Sequence, residues 1–252
     1  MDAIVSICEK YDISLIEDCA HTMGAKWGDT FTSRFGEVGC FSTQTFKHID
    51  SGEGGLLVTN DEELAAQAIL YTGSYMLYGQ HESKPSQAVF DKYKGATPNF
   101  SMRMSNLVAC LLRPQFREMQ QRGETWNRNY RWLEARLNTI DGVSVQEWVA
   151  NEAFVASSIQ FDLAGLNKGQ IEQISEQCTA RDAAIKWFGR AEPVGYTSLY
   201  QHWEYLTPQD LPQTNAILQT TCDMRIPLSL TESDCDTIAQ IIKFQLNQLR
   251  HA

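Results

Sequence analysis

The sequence predicts an α/β chain in two parts: a sheet-bearing part over residues 1–120, then a connecting helix and a smaller domain over 121–252. Three observations predict this. An apolar run, SLI, ends in the two carboxylates Glu17 and Asp18. A glycine-punctuated run, FTSRFGEVGCFSTQ, is followed within a dozen or so residues by the apolar GGLLVT. Beyond a long helical stretch, apolar strand patterns and helical patterns alternate to the end of the chain, as a small α/β or α+β domain requires.

The elements follow in order. Ile4, Ile7, Cys8 and Tyr11 recur at helical spacing in MDAIVSICEKY, and SLI then reads as a buried strand. No cap or first strand precedes that helix, so the sequence reads as opening mid-domain. CAHTMGAKWGD carries turn signals, the 31–44 run reads as short strands broken by glycines, and GGLLVT reads as a further buried strand. NDEELAAQAILYTG is a helix capped by Asn60 or Asp61, with acidic residues in its first turn and Gly73 at its end. Residues 74–98 are polar and read as a long loop. From Ser105 to Leu137 the pattern is helical, with Pro114 expected to kink or divide it and Gly123 to mark a bend. VSVQEW, FVASSIQFD, AAIKWF and CDMRIPL are then strands, while LNKGQIEQISEQC and TESDCDTIAQIIKFQLNQL are helices.

A hydrophobic content of 43% and a charged content of 21% are those of a soluble globular protein. The net charge of −10 argues against nucleic acid or an anionic membrane as the main partner. Seven scattered cysteines, without a CxxC pair or zinc spacing, suit reduced thiols in the cytoplasm. No stretch approaches the roughly 20 apolar residues of a membrane span.

Three stretches carry side chains that do chemistry: IEDCAHTMGA at 16–25, FSTQTFKHIDSGEGG at 41–55 and PNFSMRMSNL at 98–107. Asp18 ends an apolar strand, where open α/β sheets bind ligands. Lys47 follows the next such strand, five residues after Ser42. Lys47 is either a solvated loop residue or an amine kept there for chemistry. An acid, an amine and a hydroxyl at one sheet edge suit pyridoxal 5'-phosphate. The amine bonds its aldehyde, the acid holds its ring nitrogen protonated, and the hydroxyl and backbone amides bind its phosphate.

Taken together, EDCAHTMGA, FGEVGCFS, the Ser42-to-Lys47 spacing and GEGG at 52–55 resemble the DegT/StrS-type sugar aminotransferases. The resemblance continues through RMSNLVACLLRPQ and RIPLSLTESD, so it covers nearly the whole chain. It implies part of a fold-type I large domain, with a mostly parallel sheet and helices, followed by a small C-terminal domain. It also implies Lys47 as the Schiff-base lysine and proton shuttle, Asp18 beside the pyridinium, His21 at the ring and its phenolic oxygen, and Ser42 at the phosphate. Arg103 and either Asn99 or Ser101 would reach across a homodimer interface toward the neighbour's phosphate. No role follows for His48, which is expected to point away or into a polar loop. The implied reaction transfers an amino group from an amino acid such as glutamate to a nucleotide-linked keto-sugar. Residues 74–98 and 186–205 would shape the sugar pocket. Relatives that act as dehydratases replace the lysine by histidine.

The resemblance also implies a phosphate-cupping turn and a ring-stacking aromatic that precede residue 1. A truncated, inert fragment is therefore the competing expectation. An unpaired sheet edge and exposed apolar surface would accompany such a truncation and favour association.

Overall fold

The computed structural model describes every residue except 75, 193–198, 208, 251 and 252. Part of the expected pocket segments, at 75 and 193–198, thus lies outside the described residues. The chain divides into two units, residues 1–122 with 150–155 and residues 123–149 with 156–252.

In the first unit, helix α1 (Asp2–Tyr11) leads to strand β1 (Ile16–Asp18). A hairpin of β2 (Lys26–Trp27) and β3 (Thr30–Phe31) precedes β4 (Val38–Ser42) and β5 (Gly55–Thr59). β1 and β4 are parallel, with Ile16 opposite Val38 and Asp18 opposite Cys40, and β5 runs antiparallel along the other side of β4. Two glycines make the β1–β4 junction possible. A Cβ on Gly36 would lie 2.3 Å from the Leu15 carbonyl oxygen, and one on Gly39 would lie 2.2 Å from Ser33 Cβ.

Helix α2 (Glu62–Tyr71) starts at Asp61, whose carboxylate accepts the amides of Glu63 and Leu64. The expected long loop at 74–98 instead contains helix α3 (Gln87–Tyr93). Its Phe90 is buried against Ala66 and Leu70 of α2, which is enough to fix a helix in a polar stretch. Pro114 lies inside α4 (Asn106–Arg117) without ending it; the break falls at Glu118, and α5 (Met119–Leu137) runs straight through Gly123. α5 begins in the first unit and continues into the second.

Apolar strand patterns do not report what covers a strand. β5, expected to be buried, leaves Leu57 and Val58 exposed, and Ile16 of β1 is 68% exposed. None of the residues of α1, all of them described, is buried. The first unit's core gathers instead around Met23, Ile49 and Leu112, with Phe41, Leu56, Met104 and Met119 packed against them.

The chain next forms β6 (Val143–Val145) of the second unit and then returns to the first as β7 (Glu152–Ala153), which pairs with β2. The second unit is built on a four-stranded antiparallel sheet in the order β6, β8 (Ser158–Leu163), β10 (Thr221–Arg225), β9 (Lys186–Trp187). Ile159, Phe161 and Leu163 alternate inward from β8, and Cys222 and Met224 from β10. α5, α6 (Lys168–Thr179) and α8 (Glu232–Arg250) supply the apolar partners, including Leu133, Ile174 and Ile242. A short α7 (Pro212–Leu218), which the sequence pattern did not reveal, precedes β10. One buried and one open face make this the α+β arrangement. No helix among the described residues is long and apolar enough to cross a membrane.

Candidate functional site

Strand alternation gives Glu17 and Asp18 opposite fates. Glu17 faces inward, 9% exposed, and accepts the backbone amides of Ser33 and Phe35 at 2.7 Å and of Gly36 at 2.8 Å. It thereby fixes the loop that delivers β4. Asp18 faces outward and is exposed, with Oδ1 accepting the Ala20 amide at 3.0 Å. The Cys19 amide continues the parallel ladder by donating to the Cys40 carbonyl, and the Cys19 side chain is buried.

The turn after β1 and the loop after β4 are drawn together by the core beneath them. Met23 and Ile49 pack in the same cluster, and each lies two residues after a polar group, His21 and Lys47 respectively. As a result Lys47 Nζ lies 2.7 Å from His21 Nε2. One of these nitrogens donates and the other accepts, so His21 can receive the proton that Lys47 must lose before its amine attacks a carbonyl. Ser42, at the end of β4, accepts the Gln44 amide at 3.2 Å.

His48 departs from expectation. Rather than lying in a polar loop, it is 2% exposed, and its Nε2 lies 2.9 Å from the Val155 carbonyl. A carbonyl only accepts, so Nε2 carries the proton. Burial, with the positive charge that His21, Lys47 and Arg122 can carry nearby, pushes its pKa below the ordinary histidine value.

The hydrogen bonds of Asn99, Ser101 and Arg103 lead elsewhere. Asn99 Oδ1 accepts the Ser101 amide at 2.8 Å, and the Arg103 guanidinium donates to the Gly73 carbonyl. All three residues are exposed. A cleft of about 580 Å³ lies at the opposite end of β4 and β5, lined by Ser33, Arg34, Glu37, Thr59 and Asp61 among others; it includes none of the expected site residues.

Solved structures of the fold-type I class share this fold. The aminotransferase TlmJ from Streptoalloteichus hindustanus aligns over 98% of this chain and 62% of its own, with a TM-score of 0.79 at 18% identity. The E. coli GDP-4-keto-6-deoxy-D-mannose-3-dehydratase with bound hydrated PLP aligns over 96% and 63%, with a TM-score of 0.76 at 17% identity.

Residues 1–243 match the DegT/DnrJ/EryC1/StrS aminotransferase family, and the chain belongs to it. It is 28% identical over 209 residues to the L-glutamine:2-deoxy-scyllo-inosose aminotransferase of Micromonospora echinospora, covering 80% of this chain and 48% of that protein. It is 30% identical over 111 residues to the GDP-perosamine synthase of Escherichia coli O157:H7, covering 44% and 28%. The chain thus spans at most about half the length of these curated relatives.

The sequence motifs singled out Asp18, His21, Ser42 and Lys47, of which the structure joins Lys47 and His21. They passed over Glu17 and His48. Glu17 had a legible signal, since a residue beside an outward Asp18 on a strand must face inward. His48 had none, because its partner lies 107 residues away.

Proposed function

We propose that this chain is the lysine-bearing part of a pyridoxal 5'-phosphate-dependent aminotransferase that moves an amino group from an amino acid, such as glutamate, to a nucleotide-linked keto-sugar. The observation that carries this reading is the 2.7 Å approach of Lys47 Nζ to His21 Nε2, in the loops that follow two parallel strand ends. The donor set fits the cofactor: an amine for its aldehyde, the Asp18 carboxylate for its ring nitrogen, the His21 imidazole for its phenolic oxygen and the Ser42 hydroxyl for its phosphate. When bound, the cofactor supplies an electron-withdrawing ring that eases ionisation of a C–H bond beside the amino nitrogen.

The chain's own groups handle the protons. Lys47 Nζ would be the attachment point and the proton carrier, and His21 Nε2 would take up the proton that the Lys47 ammonium must lose before it can attack. Asp18 holds a proton on the ring nitrogen through its opposite charge. Arg103, with either Asn99 or Ser101, would serve a second protomer's phosphate in a homodimer. Their exposure, their bonding away from Lys47, and the exposed Leu107 and Leu111 of α4 support that arrangement. Seven free thiols fit a reducing cytoplasm.

The test is the absorbance spectrum after incubation with pyridoxal 5'-phosphate, with Lys47→Ala as control. A visible band that the control lacks is the expected result. Its absence would favour the second reading, a chain that folds without holding the cofactor. With a keto-sugar present, release of water instead of gain of nitrogen would indicate a dehydratase, a reading that the retained Lys47 disfavours.

A further inference from the structure

We propose that His48 is the positioning residue of Lys47. Its buried ring, bonded to the Val155 carbonyl, fixes the backbone from which the lysine amine reaches His21. The inference rests on the reading of Lys47 as the reacting amine.

Residues 43–54 form a strap between β4 and β5. Its base is closed by the Thr43 amide on the Gly54 carbonyl and the Thr45 amide on the Gly52 carbonyl, both at 2.9 Å. Its outward half makes a tight turn. The Lys47 amide donates to the Gln44 carbonyl at 3.1 Å, and Phe46 sits at φ 76°, in the left-handed region. A lysine side chain with four rotatable carbons does not aim itself.

The residues after Lys47 anchor the strap. The His48 ring binds Val155, and the His48 carbonyl accepts Arg122 Nη2 at 3.0 Å. Ile49 is fully buried, and Asp50 is held through both backbone groups by the Gln115 amide, at 3.1 and 2.6 Å. His48 is the nearest of these anchors to Lys47, and it ties the strap to the 150–155 segment.

The chemistry of the ring suits the place. His21, Lys47 and Arg122 are the charged or titratable groups that bear on it. A neutral imidazole donates a hydrogen bond among them without adding a charge beside an amine that must lose a proton. Protonating the ring would add that charge.

The test compares His48→Gln with His48→Asn in the full chain. Glutamine places an amide nitrogen as many bonds from Cα as Nε2, whereas asparagine falls one bond short. Trace acetic anhydride labels lysines without any cofactor, and peptide mass mapping then gives the rate at Lys47 relative to Lys10 on α1. His48→Gln is expected to keep the wild-type ratio. His48→Asn is expected to change it roughly fivefold, the effect of one hydrogen bond of ordinary strength.

Equal ratios in all three chains overturn the proposal, and so does a His48→Gln chain that fails to fold. If His48→Asn alone unfolds, the pH profile decides. The wild-type ratio should bend through one more titration than that of His48→Gln below about pH 6.5, on the lowered side of the ordinary histidine range, and superimposable profiles overturn the proposal. Failure of the functional reading is separable, because it shows as a missing cofactor band in the wild type while the labelling comparison still stands or falls alone.

Discussion

Replacing Glu17 by alanine removes the acceptor of three backbone amides from a site only 9% exposed. A hydrogen bond to a charged group contributes about 1.5–3 kcal/mol, and three of them sharing one carboxylate are not additive. Some of the stranded amides can recover water at this partly buried site. The expected destabilisation of the first unit is therefore about 3–5 kcal/mol, the range seen when one partner of a buried charged contact is deleted. Because the chain has two units, a single global unfolding curve is a poor measure. Hydrogen exchange is direct: protection at Ser33, Phe35 and Gly36 should fall sharply in Glu17→Ala, while amides of β8 in the second unit keep theirs. The control is the adjacent carboxylate. Asp18→Asn should change protection by no more than about 0.5 kcal/mol, as exposed sites do, yet weaken retention of the cofactor. Unchanged exchange at the three amides in Glu17→Ala would refute the assignment of Glu17 as the loop's anchor.

Three further outcomes are expected. His48 has a lowered pKa in the folded chain, so below the ordinary value of about 6.5 the unfolded chain takes up the proton first; the stability contributed above that pH is lost as pH falls, and His48→Gln should flatten this part of the stability–pH curve. Gly36→Ala pushes a Cβ to 2.3 Å from the Leu15 carbonyl oxygen, which backbone must move to relieve; a loss of about 1–3 kcal/mol in hydrogen-exchange protection of the first unit's β4 amides is expected. Burial pushes the Cys178 thiol up to about 11 and the Cys222 thiol up to about 12, so iodoacetamide at mildly alkaline pH should modify exposed Cys110 first and reach these two only on unfolding.

Local chemistry made much of the fold legible. The Asn60–Asp61 pair announced α2, with Asp61 as the cap, and the helical pattern announced α6, which opens on an Asn167–Gln170 capping box. Strands of five or six residues with alternating burial, such as β8 and β10, were readable for the same reason. Two-residue strands were not: β7 exists because the chain returns at 150–155 to pair with β2, and nothing in EA signals that. α3 hid behind a polar composition that a single Phe90 outweighs. Apolar runs at β1 and β5 spoke of hydrophobicity and were misread as burial. At the site, motif spacing located the lysine, the acid, the histidine and the serine. The Lys47–His21 contact depended on two loops meeting over Met23 and Ile49, which is a tertiary fact.

The return of residues 150–155 to the first unit has a consequence for the order of events during translation. His48 waits for Val155, which leaves the ribosome 107 residues later. At 5–20 residues per second that is a delay of about 5–20 s. Helices α2 and α4 can form within microseconds of emerging, so for most of that interval the nascent chain holds folded local elements around a strap with one tether missing. The strap bearing Lys47 is accordingly expected to be among the last parts of the first unit to become ordered. A ribosome-stalled chain ending shortly before residue 150 should leave that lysine more open to labelling than the released protein does.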